Sequence, residues 1–245
     1  AKFIEDFSDG DLTENPTWEG EIEKFVVNAE NQLQLNAPEA GTAHLVIPVA
    51  TGDSTSWAFW VRLDFAPSGS NFARIYLASD QPDLTGSLNG YFVKIGGISG
   101  ADDAIELFRQ TGTDTALLIG GTPGAAGGDP VLARVQVIRD ATGNWTLAVD
   151  YTGSSDFMVE GTAVDNTHPM GSYFGLVCDF TATRSDLFFF DDIRIAPLFE
   201  DTTPPEVVGL TVSSPTEIAL NFSEVLATAP ATSVSTYSLS GGIDV

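Results

Sequence analysis

The ten residues Ser56–Phe65 alternate so strictly that they constrain the whole chain. Trp57, Phe59, Val61, Leu63 and Phe65 fall on one side, and Trp60, Arg62 and Asp64 on the other. A two-residue period is that of an extended strand with one buried face, whereas a helix would scatter those five apolar residues around its circumference. Period-two segments or short apolar runs recur along the sequence. They predict strands at 3–7, 24–28, 32–36, 42–48, 56–65, 72–79, 90–96, 103–110, 115–119, 131–139, 144–151, 156–160, 172–181 and 186–196. Turn residues separate them, as in Ala66-Pro67-Ser68-Gly69, Asp140-Ala141-Thr142-Gly143-Asn144 and Tyr151-Thr152-Gly153-Ser154, and 120–130 reads as a glycine-rich loop. No amphipathic helix of three turns is present in the pattern. Many short strands without interleaved helices mean an all-β fold, a two-sheet antiparallel sandwich or a closed barrel.

The pattern breaks at Asp201-Thr202-Thr203-Pro204-Pro205, where prolines favour an extended linker over a strand ladder. We therefore divide the chain into 1–200, one β-sandwich, and 201–245. Within the second part 206–213 and 216–223 read as a hairpin around Ser214-Pro215. Its 45 residues are too few for an independent core without disulfides or a metal, so it is expected to be the front of a larger domain continuing past Val245. The chain opens at Ala1 in strand-like sequence, which fits either a removed export signal or a trimmed start.

Charge narrows the function. With 34 acidic and ten basic residues the net charge is −24. Such a chain lacks the positive surface that drives counterion release from phosphates, so nucleic acid is excluded as a partner. No apolar run is long enough to cross a bilayer, so membrane insertion by a helix is not expected. The single cysteine, Cys178, lies inside the apolar run 173–180 and reads as a small buried hydrophobe. An exported chain without disulfides fits a bacterial source.

The opening Phe3-Ile4-Glu5-Asp6-Phe7-Ser8-Asp9-Gly10-Asp11, then Trp18, then Phe25-Val26-Val27-Asn28 and Gln32-Leu33-Gln34-Leu35, resemble the first strands of bacterial concanavalin A-like (laminin-G-like) jelly rolls. The run Phe188-Phe189-Phe190-Asp191-Asp192-Ile193-Arg194-Ile195 resembles their last strand, which pairs near the first. The resemblance covers about 1–198. The tail Thr203-Pro204-Pro205 with Leu220-Asn221-Phe222-Ser223-Glu224 is similar to bacterial immunoglobulin-like surface repeats. Together they imply a jelly-roll β-sandwich plus a partial Ig-like β-domain from a secreted or cell-surface multidomain protein of Bacteroidetes type. Its partners would be other domains of the same chain and secretion machinery. Such folds host lectins, glycosidases, adhesion modules and inert spacers, so the site must decide the function.

Catalysis has little support. Glucanases on this fold place carboxylates at alternate positions of one strand. The nearest run, Glu19-Gly20-Glu21-Ile22-Glu23, lacks the central Asp and sits in a turn-like segment. His44 and His168 have no triad partners in the pattern. We read the chain as no enzyme. The resemblance implies a structural Ca²⁺ where first and last strands meet, with Asp6, Asp9, Asp11 and Asp192 as oxygen donors. Capping of backbone N–H groups or an Asp192–Arg ion pair are the alternatives. Asp80 and Asp83 form a weaker second candidate.

Alternation also yields a candidate ligand face. Trp60 and Arg62, Arg74 and Tyr76, Lys94, Glu106 and Phe108, and Arg134 all point away from their strands' apolar sides. If those strands share a sheet, Trp60, Arg62, Arg74, Tyr76, Lys94 and Arg134 make an aromatic and cationic face on an acidic protein. Aromatic rings stack on sugar C–H faces and cations bind acidic groups such as uronates. The alternatives are cross-strand ion pairs, Arg62 or Arg74 with Glu106, or a covering loop. The expected function is a carbohydrate-binding or adhesion module. A structural spacer without a glycan ligand, and a divergent glycosidase, are the competing readings.

Overall fold

A computed structural model describes residues 2–198, 205–224 and 226. Its strands are β1 (Phe3–Glu5), β2 (Glu19–Gly20), β3 (Phe25–Val27), β4 (Leu33–Leu35), β5 (Gly41–Pro48), β6 (Thr55–Leu63), β7 (Phe72–Ser79), β8 (Leu88–Ile95), β9 (Ile105–Gly112), β10 (Asp114–Ile119), β11 (Val131–Arg139), β12 (Asn144–Asp150), β13 (Met158–Val164), β14 (Tyr173–Phe180), β15 (Phe188–Pro197), β16 (Val207–Ser214) and β17 (Glu217–Phe222). Each of the fourteen strands read from the first 200 residues is present. The strand expected at 156–160 sits further along, at β13, and β2 was not anticipated. It is two residues long, too short for a period to register.

The chain divides into two compact units, 1–199 and 200–245. The first is an antiparallel two-sheet sandwich. One sheet runs β13-β12-β11-β6-β15-β4-β3, with β1 also pairing β15, and the other runs β10-β9-β8-β7-β14-β5-β2. The closing strand does pair with the opening one: Phe3, Ile4 and Glu5 lie opposite Ile195, Arg194 and Ile193. Residues that alternate inward fill the space between the sheets. Trp57 of the first sheet stacks on Trp145 at 5.8 Å, and Tyr91 of the second sheet reaches Trp145 at 4.5 Å. Full burial of such side chains is worth about 1.5–3 kcal/mol each, the dominant force holding the sheets together. Cys178 is in this core, opposite Ala43 and Ala73, and burial pushes its thiol well above the ordinary range.

One detail of β15 departs from strict alternation. Phe188, Phe190, Ile193 and Ile195 all enter the core, so two residues separate Phe190 from Ile193. The extra residue is a bulge between Asp191 and Arg194, with Asp192 in the left-handed region at φ 51°. Strict alternation would drive one of the two aspartates onto the apolar face. The bulge leaves both Asp191 and Asp192 half-buried and off the core, which avoids an unpaired carboxylate among phenylalanines.

In the second unit β16 and β17 form the expected hairpin, with Leu210 opposite Leu220 and Val212 opposite Ile218. Residues 199–204, 225 and 227–245, which include Thr203 and Pro204 of the Ig-like reading, lie outside the described residues.

Candidate ligand-binding face

The six residues of the candidate face divide between the two sheets, because β6 and β11 belong to one and β7 and β8 to the other. Trp60, Arg62 and Arg134 lie together on the outside of the first sheet. Arg74, Tyr76 and Lys94 lie on the outside of the second, across the full thickness of the sandwich. The single six-residue face is therefore corrected to two groups.

The second group is not an open surface. Tyr76 is fully buried in a small cluster with Val46, Leu84, Leu88, Phe92 and Val177, where Leu84 and Leu88 belong to the β7–β8 connection and its exit. Phe92 stacks between Tyr76 and Phe108, and Lys94 Nζ sits 4.7 Å over the Phe108 ring. The Tyr76 hydroxyl donates to Gln110 Oε1 at 2.7 Å, and burial raises its pKa. Lys94 pairs with Glu106 at 3.2 Å, its cross-strand neighbour, and Arg74 with Asp179 at 2.9 Å. Tyr76 does point away from the main core, but a loop covers it.

The first group is partly exposed. Register sets Trp60 between Arg134 on β11 and Asp191 on β15, and Arg62 between Leu132 and Phe189. The indole is partly exposed. The turn after β12 closes against it so tightly that a Cβ at Gly153 would come within 3.0 Å of Trp60 Nε1, and Gly153 holds φ 74°. The Arg62 guanidinium lies 4.2 Å over the Phe189 ring and 5.8 Å from that of Trp60. Its Nε is 3.0 Å from Asp64 Oδ1, an ion pair without hydrogen-bond alignment. Arg134 donates to Asp192 Oδ2 at 2.7 Å and weakly to the Gly153 carbonyl at 3.4 Å.

The four expected calcium ligands do not converge. Asp6, Asp9 and Asp11 each accept from a backbone N–H two residues on, at Ser8, Asp11 and Thr13, and Asp192 pairs with Arg134. Among the described residues no three His, Cys, Asp or Glu side chains form a group that could hold a metal. Local capping and an arginine pair, the two alternatives, are what the geometry contains. Asp191, the neighbour of Asp192, is the perturbed carboxylate of this region. Burial pushes it up to about 6; Asp192 and Asp6 add to the rise, while the Asp192 N–H and Arg134 oppose it. Asp80 and Asp83 also cap backbone N–H groups, of Asn89 and Thr85.

The acidic run near the start carries no catalytic pair. Glu21 accepts from Lys24 Nζ at 3.0 Å and from His44 at both its backbone N–H, 2.8 Å, and its ring Nδ1, 3.0 Å. Burial raises this carboxyl, but the bonds from Lys24 and His44 outweigh it and hold it below the ordinary range. His168 is engaged by Thr111 Oγ1 at 2.7 Å. The void between the sheets, walled by Phe59, Ile75, Phe174, Leu176, Phe190 and Ile193, measures about 10 Å³, too small and too apolar for a ligand.

No family model and no curated protein matches the chain. Solved structures do. The exoplasmic/lumenal domain of VIP36, in a form bound to Ca²⁺ and Man2, matches with TM-score 0.58 at 14% identity, over 83% of this chain and 90% of that one. Its metal-free form also gives 0.58, at 13% identity, over 91% and 98%. The carbohydrate recognition domain of Emp47p gives 0.60 at 10% identity, over 80% and 94%. At such identities the likeness defines the fold, a lectin-like two-sheet β-sandwich.

Proposed function

We propose that the chain is a non-catalytic carbohydrate-binding or adhesion module whose ligand face is the outside of the first sheet around Trp60, Arg62 and Arg134. The observation that carries this reading is the placement of a partly exposed indole by cross-strand register beside Arg134, with Phe189 and Arg62 stacked next to it. An aromatic plane flanked by hydrogen-bond donors is what a sugar ring requires, apolar contact for its C–H face and polar contact for its hydroxyls. Of the solved neighbours, the VIP36 domain is bound to Man2 and the Emp47p domain is a carbohydrate recognition domain, which supports the class.

In the same reading the module belongs to a secreted or cell-surface bacterial protein, with 201–245 the start of an Ig-like domain. This reading does not depend on calcium: Asp6, Asp9 and Asp11 cap backbone N–H groups and Asp192 pairs with Arg134. The test is binding to a glycan array with and without Trp60→Ala. Binding that Trp60→Ala removes, with the fold intact, supports the module; a clean fold that binds no glycan overturns it. A structural spacer is the second reading, favoured by the ion pairing of the four cations of the candidate face, Arg62, Arg74, Lys94 and Arg134.

A further inference from the structure

Beside Trp60, one row of residues crosses the outside of the first sheet with little standing on it. Register aligns Ile4, Arg194, Ala58, Gln136, Ala148 and Val159 across β1, β15, β6, β11, β12 and β13. Two of the central three are alanines, so this row is low. The next row, with Trp60 and Arg134, stands higher on β6 and β11; on the other side Ile138 and Thr146 stand higher on β11 and β12, while Ser56 and Ala196 leave that side low on β6 and β15. Neighbouring rows on one face lie about 7 Å apart along a strand, and strands about 4.8 Å apart. The result is a shallow trough crossing the strands, roughly 14 Å long between β15 and β12.

Its polar groups are free. Seven of the ten lysines and arginines are held in ion pairs. Arg194 is not among them: it is exposed, and it touches the titration of Asp6 without bonding to it. The Gln136 side-chain amide makes no hydrogen bond among the described residues, although it is only partly exposed. A guanidinium and an amide left unpaired in one trough, beside an open indole, form a set of donors without acceptors.

We propose that this trough binds an extended uronate-bearing polysaccharide lying across the strands, with Arg194 as the residue that selects the acidic sugar. This rests on the carbohydrate reading above and adds the ligand class, the direction of the chain and the specificity residue. A sugar ring stacks on the Trp60 side of the trough, its hydroxyls meet the Gln136 amide over the Ala58 and Ala148 floor, and a carboxylate pairs with Arg194. Arginine presents two parallel N–H donors that match a carboxylate. The charge of −24 does not by itself preclude this, because at physiological salt carboxylates beyond about 8 Å are largely screened; the near ones that the guanidinium must outweigh are Asp6, whose titration Arg194 lowers, and Asp191 and Asp192 on the same strand.

The experiment titrates the protein with polygalacturonate and with alginate, and with the methyl-esterified form of each, which keeps the backbone and removes the charge. A neutral-glycan array is run alongside. The expected result is tighter binding of an acidic form than of its ester, by on the order of ten- to a hundred-fold. Arg194→Gln, at an exposed position, should fold normally and erase that preference while retaining ester binding, whereas Trp60→Ala should lose both. Equal affinity for acid and ester, a preference that survives Arg194→Gln, or binding of neutral glycans alone overturns this inference and leaves the carbohydrate module standing. Failure to bind any glycan in either panel overturns the module reading as well.

Discussion

Tyr91 and Asp165, 74 residues apart, are joined by a 2.7 Å hydrogen bond at one end of the sandwich. Tyr91 belongs to the second sheet, and Asp165 follows β13 of the first, at the start of the crossover to β14. The same carboxylate pairs with Arg109 and accepts the Thr167 N–H at 3.0 Å, while the Asp165 carbonyl accepts Trp145 Nε1 at 3.0 Å. Burial pushes the Tyr91 hydroxyl up to about 12, so it remains a donor at any physiological pH. One buried residue, through its side chain and its carbonyl, thus ties the crossover to both sheets.

Asp165→Asn should therefore cost about 2–4 kcal/mol of stability, because Arg109 loses its counter-charge and the donor set loses its acceptor. Burial raises the Asp165 carboxyl, but bonds from Thr167, Tyr91 and Arg109 outweigh it and hold it below its ordinary 3.8. A depressed folded pKa contributes stability that is complete above the unfolded value and is lost as pH falls through the folded one. Urea melts at pH 7 and pH 3 check both parts: the gap between variant and wild type should be wide at pH 7 and shrink at pH 3.

Asp191 acts with the opposite sign. Its folded pKa of about 6 lies above the ordinary 3.8, so the native state holds its proton more tightly than the unfolded chain. Stability from this group is greatest below pH 4 and declines as pH rises to 6. Asp191→Asn should stabilise the protein at pH 7 by about 1–2 kcal/mol, the full two-unit shift discounted for the side chain's part exposure. Denaturation midpoints of the pair at pH 4 and pH 7, in EDTA, are the measurement; a destabilised variant at pH 7 would sink the idea.

Calcium should make no difference to the fold. Asp192 is neutralised by Arg134, and Asp6, Asp9 and Asp11 cap their own turns. Thermal melts in millimolar Ca²⁺ and in EDTA should coincide within about a degree, since a ligand at 100 times its Kd would add roughly 2.7 kcal/mol. A clear shift upward with Ca²⁺ would mean that the β1–β15 junction rearranges around the metal.

The strands were legible because each is a local pattern: Trp57, Phe59, Val61 and Leu63 declare β6 without reference to anything else. Which sheet a strand joins is not local. Arg62 and Arg74 read alike as outward cations, yet β6 pairs with β11 and β15 while β7 pairs with β8 and β14. The β15 bulge was hidden because its left-handed residue is Asp192 and not glycine. Strict alternation would put Arg194 on the same face as Asp192, and its neighbours Ala58 and Gln136 emerge only from cross-strand register. The free guanidinium is visible only once the other cations are seen to be paired.

The two outer faces can be told apart by a pair of substitutions. Leu84 is fully buried against Tyr76 and its cluster, so Leu84→Ala opens a cavity and should cost about 2–4 kcal/mol, with glycan affinity unchanged below the melting range. Trp60 is partly exposed, so Trp60→Ala should cost less stability than Leu84→Ala and remove glycan binding. Each variant is measured twice, by thermal melt and by affinity for the glycan the wild type binds. Stability and binding should then separate cleanly, one loss to each residue. If Leu84→Ala folds yet loses the ligand while Trp60→Ala keeps it, the ligand face is the second sheet, reached when the 80–88 connection moves aside.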